Sequence, residues 1–329
     1  MENVHFGHLH IHTEYSVLDS CVKIDELFAT VKELGQKFCC ITDHGSTSGL
    51  YEAQKAGKRH NIKPLLGSEF YYQHENNNNY NGHLIVIAKN NKGLENIFKL
   101  QEYAYVHNFY YKPRIKWEIL KQLHEGLIVT TACMSSIFNQ YILDGKLHEA
   151  IEWAEKFKQI FGDDFYIEIQ PNGMAEQMLI NQRAIEIAKH LNIKTVATND
   201  VHYIFEKDAF PHEILLALQT NKKISDEKRW KFSTNDLWLK STEEMISTFV
   251  GLSEEDIFTA LNNTKEIADK CHTEITPGKY LPKYYNIPEN ETERSLLAKE
   301  IMKGARKTGF ISNSDYMKEV QNELNIIDK

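Results

Sequence analysis

Residues 4–11, VHFGHLHI, read as a β-strand, and the run ends in His10 and His12, an H-x-H pair. Alternate residues of a strand share one face, so the two imidazoles point the same way. Six more runs rich in β-branched and aromatic residues follow: KFCCIT (37–42), PLLGSEFYY (64–72), HLIVIA (83–88), LIVTTA (127–132), FYIEI (165–169) and TVATN (195–199). Between them, residues 24–35, 50–60, 92–105, 147–161 and 175–191 carry apolar side chains at helical spacing, as in Ile151, Ala154, Phe157 and Phe161. This βαβα order predicts a parallel sheet covered by helices. Seven strands fit an open doubly wound sheet or a closed barrel, and periodicity does not separate the two.

In a parallel α/β sheet or barrel the carboxyl ends of the strands meet at one face. Asp43 and His44 end the second run, and Glu69 lies near the end of the third. Cys133 follows the fifth, and Asp200 and His202 end the seventh, again two residues apart. Each has an ordinary reading alone: a packed core histidine, a turn-capping aspartate, a small buried cysteine. At five strand ends together those readings fail, because burying so many unpaired polar groups is costly. The pattern points to several metal ions, for which imidazole is the commonest side-chain ligand. His83 begins its strand and Asp19 lies in the loop after the first, so both fit less directly. Glu168 takes an inward strand position, as a ligand or as an interior hydrogen-bond acceptor.

The chain has 329 residues, enough for one large domain or two ordinary ones. With 42% hydrophobic and 26% charged residues it reads as globular, which excludes disorder and coiled-coil rods. No run approaches the ~20 apolar residues of a membrane helix, and the first residues carry no apolar leader core. Five irregularly placed cysteines argue against a disulfide framework, so the expected location is the cytoplasm. A net charge of −8 argues against a stand-alone clamp on duplex DNA. HENNNNYNG (74–82) reads as an exposed loop or hairpin tip, and the basic stretch NKKISDEKRWKF (221–232) as a solvated loop. TPGKYLPKYYNIPENET (276–292) holds three of the seven prolines and reads as a linker. Helical periodicity resumes at 293 and ends in the amphipathic, uncapped DYMKEVQNELNIIDK, which is expected to pack on a further domain or a partner.

Seven segments, HLHIHTEYSVLD, ITDHGSTSG, KPLLGSEFYY, HLIVIAKN, FYYKPRI, GLIVTTAC and TNDVHY, resemble in order the motifs of the polymerase and histidinol phosphatase (PHP) domain. They are most similar to the PHP domain of C-family bacterial replicative polymerases, the DNA polymerase III alpha family. QTNKKISDEKRWKF, DLWLKSTEEM, NTKEIADKC and GKYLPKY extend that resemblance over nearly the whole chain. The resemblance implies a distorted (βα)7 barrel over residues 1–275, the linker 276–292, and in 293–329 the helical start of a palm-side region.

It also implies a metal cluster at the carboxyl face with nine ligands: His10, His12, Asp19, His44, Glu69, His83, Cys133, Asp200 and His202. His10, His12, Glu69 and Asp200 would hold one ion. Glu69, bridging, would hold a second with His83 and Cys133, and Asp19, His44 and His202 would hold a third. Asp43 would orient a ligand from behind. Arg114 is a candidate phosphate contact, or a structural salt bridge. The cofactors implied are two or three divalent ions, Zn or Mn, with Fe possible. Against three carboxylates and a thiolate, three such ions leave a local excess of about +2.

The activity implied is a metal-dependent phosphoesterase acting as a 3′→5′ proofreading exonuclease on DNA. No polymerase activity is expected from this chain alone. Its partners would be a DNA 3′ end and the palm, fingers and thumb in the same or another chain. Two alternatives stay open. One is a non-catalytic, metal-stabilised module that docks a separate proofreading exonuclease. The other is a free-standing histidinol-phosphatase-like or amidohydrolase-type enzyme, which would have no use for the tail past 285.

Overall fold

A computed structural model describes residues 4–75, 77, 79–278 and 283–328. The strands are β1 (Phe38–Ile41), β2 (Lys63–Gln73), β3 (Asn81–Ala88), β4 (Phe109–Tyr110), β5 (Lys112–Ile115), β6 (Leu127–Thr130), β7 (Phe165–Ile169) and β8 (Lys194–Ala197). The helices are α1 (Ile24–Glu33), α2 (Leu50–His60), α3 (Asn91–Val106), α4 (Trp117–Gln122), α5 (Ile137–Leu143), α6 (Leu147–Phe161), α7 (Ala175–Leu191), α8 (Ala209–Gln219), α9 (Thr242–Thr248), α10 (Glu254–Lys270), α11 (Glu293–Lys307) and α12 (Ser314–Ile327). Two compact units form, Met1–Ile275 and Thr276–Lys329.

The sheet of the first unit runs β4-β5-β2-β3-β6-β7-β8, with β1 also on β2. It curls into a distorted barrel that the first segment closes. His8 and Ile11 accept backbone hydrogen bonds from Cys40 and Thr42 on one side. On the other, His12 donates to Val201, and Val201 donates to His10. The expected strand at 4–11 is therefore a closing segment with one bridge residue, Ile11, opposite Val201. Its hydrogen bonds alternate between two neighbours and never run far enough along either to make a ladder.

The expectation of an all-parallel sheet is corrected at β3 and at the short edge strand β4, which is antiparallel to β5. β3 runs antiparallel to both β2 and β6, whereas β1–β2, β6–β7 and β7–β8 are parallel. The reason is the length of the β2–β3 connection, 74–80. A parallel crossover needs a dozen or more residues, and this one makes a hairpin. Residues 76 and 78 of its Asn-rich tip lie outside the described residues. The short β4–β5 ribbon was not anticipated.

Period-two alternation builds the barrel interior in layers. Leu65, Ile85, Ile87, Ile128, Tyr166 and Val196 form one buried apolar cluster with Ile267 and Ala268 of α10. Two residues further along β6, β7 and β8 stand Thr130, Glu168 and Thr198. Both threonine hydroxyls donate to the Glu168 carboxylate, Thr198 at 2.5 Å. Two residues before Ile85 on the reversed strand stands His83. A larger buried cluster packs the helices on the outside of the sheet. There α6 buries Ala150, Trp153, Ala154, Phe157 and Phe161, with Trp153 stacked on Phe157 at 3.9 Å, while Ile151 is only half-buried.

In the second unit Thr292 caps α11 and the Asn313 side chain caps α12, with Phe310 stacked on Tyr316. Residues 279–282 of the expected linker lie outside the described residues. No helix among the described residues is long and apolar enough to cross a membrane.

Gly93 opens α3 directly against the backbone of Gly126, just before β6. A Cβ at Gly93 would lie 1.8 Å from the Gly126 carbonyl oxygen, and Gly126 has φ +74°. Gly93→Ala must push α3 off the sheet and should lower the unfolding free energy by about 3 kcal/mol, read from urea midpoints. A loss within experimental error would show that this contact is not tight in solution.

Candidate metal centre

Six chain segments bring their polar ends to one rim. His10 and His12 come from the closing segment, and Asp19 from the turn that follows it. His44 leaves β1, and Gly45 behind it takes φ +51°, turning the chain so that its N–H donates to the Glu69 carbonyl. Cys133 follows β6 after Ala132, and Asp200 and His202 follow β8. Ala132 and Asp200 both have positive φ (58° and 49°), a strained backbone for side-chain-bearing residues, found here on both sides of the cluster. His83 reaches the same rim from the amino end of β3 because that strand is reversed.

Glu69 is the centre of the group and is fully buried. Its Oε1 lies 3.4 Å from His10 Nε2, 3.1 Å from His83 Nδ1 and 3.8 Å from Cys133 Sγ. Its Oε2 lies 3.2 Å from His12 Nε2 and 2.7 Å from His44 Nδ1. Asp200 Oδ1 is 3.1 Å from His10 Nε2 and 3.2 Å from His12 Nε2. Asp19 Oδ2 is shared by His44 Nε2 at 3.1 Å and His202 Nε2 at 3.2 Å. Three sets have ligand atoms mutually within 4.8 Å: His12, Asp19, His44 and His202; His10, His12 and Glu69; and His44, Glu69 and His83. His12 and His44 thus each stand within reach of two sets.

The protons settle what these atoms face. The Glu168 carboxylate, 3.1 Å from His10 Nδ1, accepts its N–H, so in the neutral ring Nε2 turns a lone pair to the rim. Ser16 donates to Asp43 at 2.8 Å and therefore accepts from His12 Nδ1 at 3.1 Å, so His12 Nε2 is also turned to the rim. His202 Nδ1 donates to the Asp200 carbonyl at 2.8 Å, and its Nε2 faces Asp19 Oδ2 at 3.2 Å. The Nε2 atoms of His10 and His12 face each other at 3.2 Å among carboxylates. Glu69 Oε2, Asp200 Oδ1 and His44 Nδ1 are buried without a hydrogen-bond partner among the described residues. The close His44–Glu69 approach is thus not in hydrogen-bonding geometry.

Buried imidazole nitrogens and carboxylates converging this closely must share either protons or a metal cation. Metal–ligand bonds of about 2.0–2.2 Å put neighbouring ligand atoms about 3.4 Å apart in a tetrahedron, close to the spacings here. The residues fit divalent ions.

Without a cation, the carboxylates hold protons on the neighbouring rings. Burial pushes the carboxyls of Asp19, Glu69 and Asp200 up, yet the surrounding imidazoles more than reverse it and hold all three well below the usual range. Burial pulls His10 down, but Asp200, Glu69 and Glu168 raise it overall. Burial, then Asp200 and Glu69, push the Cys133 thiol up. With a cation in place these protons leave, and the thiol becomes a thiolate ligand.

Above the cluster opens a cavity of about 670 Å³, whose wall includes Asp19, His44, His83, Cys133, Asp200 and His202. Residues 8–172 match the PHP domain. This chain belongs to the PHP domain family. It is 39% identical over 346 aligned positions to the DNA polymerase III subunit alpha of Aquifex aeolicus, covering 98% of this chain and 30% of that relative. The Borreliella burgdorferi subunit alpha is 37% identical, covering 85% of this chain and 25% of the relative. This PHP chain thus spans less than a third of the length of these polymerase subunits. A metal-dependent phosphoesterase candidate of Bifidobacterium adolescentis, a solved structure, aligns with 75% of this chain and 97% of its own at 13% identity, TM-score 0.40.

The PHP barrel brings all nine anticipated ligand positions to one rim. Asp43 lies behind them: it accepts from the Thr13 N–H at 2.6 Å, from the Thr13 hydroxyl, and from Ser16, through which it orients His12. Glu168 orients His10 from below. Arg114 does not line the cavity. It is buried, donates to the Asn108 carbonyl and to Asn81, and lies against the Tyr110 ring. Lys112, two residues earlier, lines the cavity instead. Sequence reasoning passed over Ser16, Thr130 and Thr198, whose only signal was their two-residue offset from inward strand positions or their place in the turn after His12.

Glu168→Gln replaces an acceptor of three hydrogen bonds and loosens the His10 tautomer. Zn²⁺ affinity, measured by chelator competition, should fall about 10–100-fold with far-UV circular dichroism unchanged. Unchanged affinity would remove Glu168 from the support of the site.

Proposed function

We propose that this chain is the PHP module of a bacterial replicative polymerase alpha subunit and hydrolyses phosphodiester bonds at DNA 3′ ends, as a 3′→5′ proofreading exonuclease. The observation that carries the reading is the convergence of the His10, His12 and His202 Nε2 atoms, with their Nδ1 atoms held by Glu168, Ser16 and the Asp200 carbonyl, onto buried carboxylates beneath an open cavity. His10, His12, Glu69 and Asp200 would hold one divalent ion, and Glu69, His83 and Cys133 a second. Asp19, His44 and His202 would hold a third, with His12 close by. Imidazoles and a thiolate suit zinc, and three carboxylates leave room for manganese or iron. When bound, the ions would supply charge stabilisation at the phosphate and a nucleophile usable at neutral pH.

The chain's own groups do the rest. Glu69 presents one oxygen to His83 and Cys133 and the other to His12 and His44, so it can tie two ions together. Glu168 and the Asp43–Ser16 relay hold the His10 and His12 rings in the ligating tautomer and leave no slack in the rim. Asp19, His44 and His83, the partly exposed members, meet the cavity where a substrate would enter. The remainder of the polymerase, in the same or another chain, and a separate exonuclease subunit are the partners this reading brings.

The purified chain should carry two or three transition-metal ions by elemental analysis. It should release nucleotides from single-stranded or mismatched 3′ ends with Mn²⁺ or Zn²⁺, and His10→Ala with Asp200→Ala should abolish that release. Fewer than one ion per chain would sink the site. Bound metal without any release would replace the exonuclease by a structural role for the ions.

A further inference from the structure

The stretch 221–232, which reads as a solvated loop, delivers its aromatic end to the metal cavity. The Phe232 ring lies 5.2 Å from that of His202 and parallel to His212 at 5.7 Å. Trp230 meets Phe232 edge-on at 4.9 Å, lines the cavity and is 51% exposed. A second aromatic group flanks the cluster on the side of His44 and His83. The Tyr71 ring is 5.8 Å from His44 and 5.5 Å from His83, and Lys112 Nζ stands 5.1 Å over it. Tyr105 lines the same cavity with half its surface in water.

Rings left half in water at the mouth of a charged site cost solvation and bury nothing. They serve a ligand that has both phosphates and flat apolar faces. Every nucleic-acid base has such a face, but in a duplex the neighbouring bases cover it. An unpaired end exposes it, and a mismatched end unpairs at the least cost. The loop also carries exposed Lys228 and Lys231 beside Trp230, a local positive charge on a chain of net charge −8.

We propose that the cavity mouth is a subsite for single-stranded DNA, in which an unpaired 3′-terminal base stacks on Trp230 and Lys112 meets the adjoining phosphate. The proposal rests on the reading of the metal site as one that acts on DNA 3′ ends, and it adds how a paired end is refused. Phe232 is a positioning residue here, because it backs Trp230 and braces the His202 ring.

The test uses the full chain with Mn²⁺ and a 5′-fluorescein oligothymidylate whose last linkages are phosphorothioates, followed by fluorescence anisotropy. The single strand should bind at least tenfold more tightly than a blunt duplex. Trp230→Ala should weaken single-strand binding about tenfold, Trp230→Phe should retain most of it, and metal content should not change. Equal binding of single strand and duplex, or wild-type binding by Trp230→Ala, would overturn the subsite. Nucleotide release measured on the unmodified strand keeps the two readings apart. Release with unaltered Trp230→Ala binding sinks only the stacking. Trp230-dependent binding without release keeps the subsite and sinks the exonuclease.

Discussion

A carboxylate with no exposed surface, Glu69, lies within 3.4 Å of nitrogens from His10, His12, His44 and His83. Charge taken out of water must be compensated on the spot, and most of the rim can be understood as that compensation. The imidazoles are themselves constrained. Glu168, Ser16 and the Asp200 carbonyl hold their outer nitrogens, so the inner Nε2 atoms are the ones turned to the rim. The arrangement balances with protons on the imidazoles or with cations in their place. The rest of the barrel carries this polar layer on an apolar one, with α10 joined to the interior cluster and the Glu168–Thr130–Thr198 group between them.

Reversal of β3 is the structural step that brings the last candidate ligand, His83, to the rim. In a strictly parallel barrel the amino end of that strand would lie at the opposite face, and His83 would be out of reach of Glu69. The hairpin turn costs the fold one crossover helix and puts Tyr71 directly opposite His83 in register. The same pairing sets Cys133, after β6, 3.4 Å from His83. The direction of β3 therefore supplies the His83–Cys133 corner of the cluster.

Much of this was legible from residue spacing. The pairs His10/His12 and Asp200/His202 stand out because core packing alone seldom sets two ligating side chains two residues apart at a strand end. Helical periodicity located α6 and α7 to the residue. His83 and Asp19 were not legible in this way. One sits at the wrong end of its strand for a parallel sheet, and the other in a turn without periodicity, so only the resemblance to PHP motifs marked them. Trp230 was hidden for a different reason: it lies in a charged, irregular segment whose composition matches any solvated loop. Arg114 misled because its motif suggests phosphate, whereas its burial against Tyr110 and Asn108 gives it partners within the fold.

By itself, the amino-acid order determined the alternation of strands and helices, the presence of a metal-type residue at successive strand ends, and the inward positions two residues apart. These depend on local conformation, whose period is written in neighbouring side chains. Tertiary structure alone decided the direction of β3, the closure of the ring by residues 8–12, the hydrogen bonds that orient three imidazoles, and the arrival of Trp230 at the cavity. Those outcomes require residues near 10, 69 and 200 to meet, and no local period records a contact made across nearly two hundred positions.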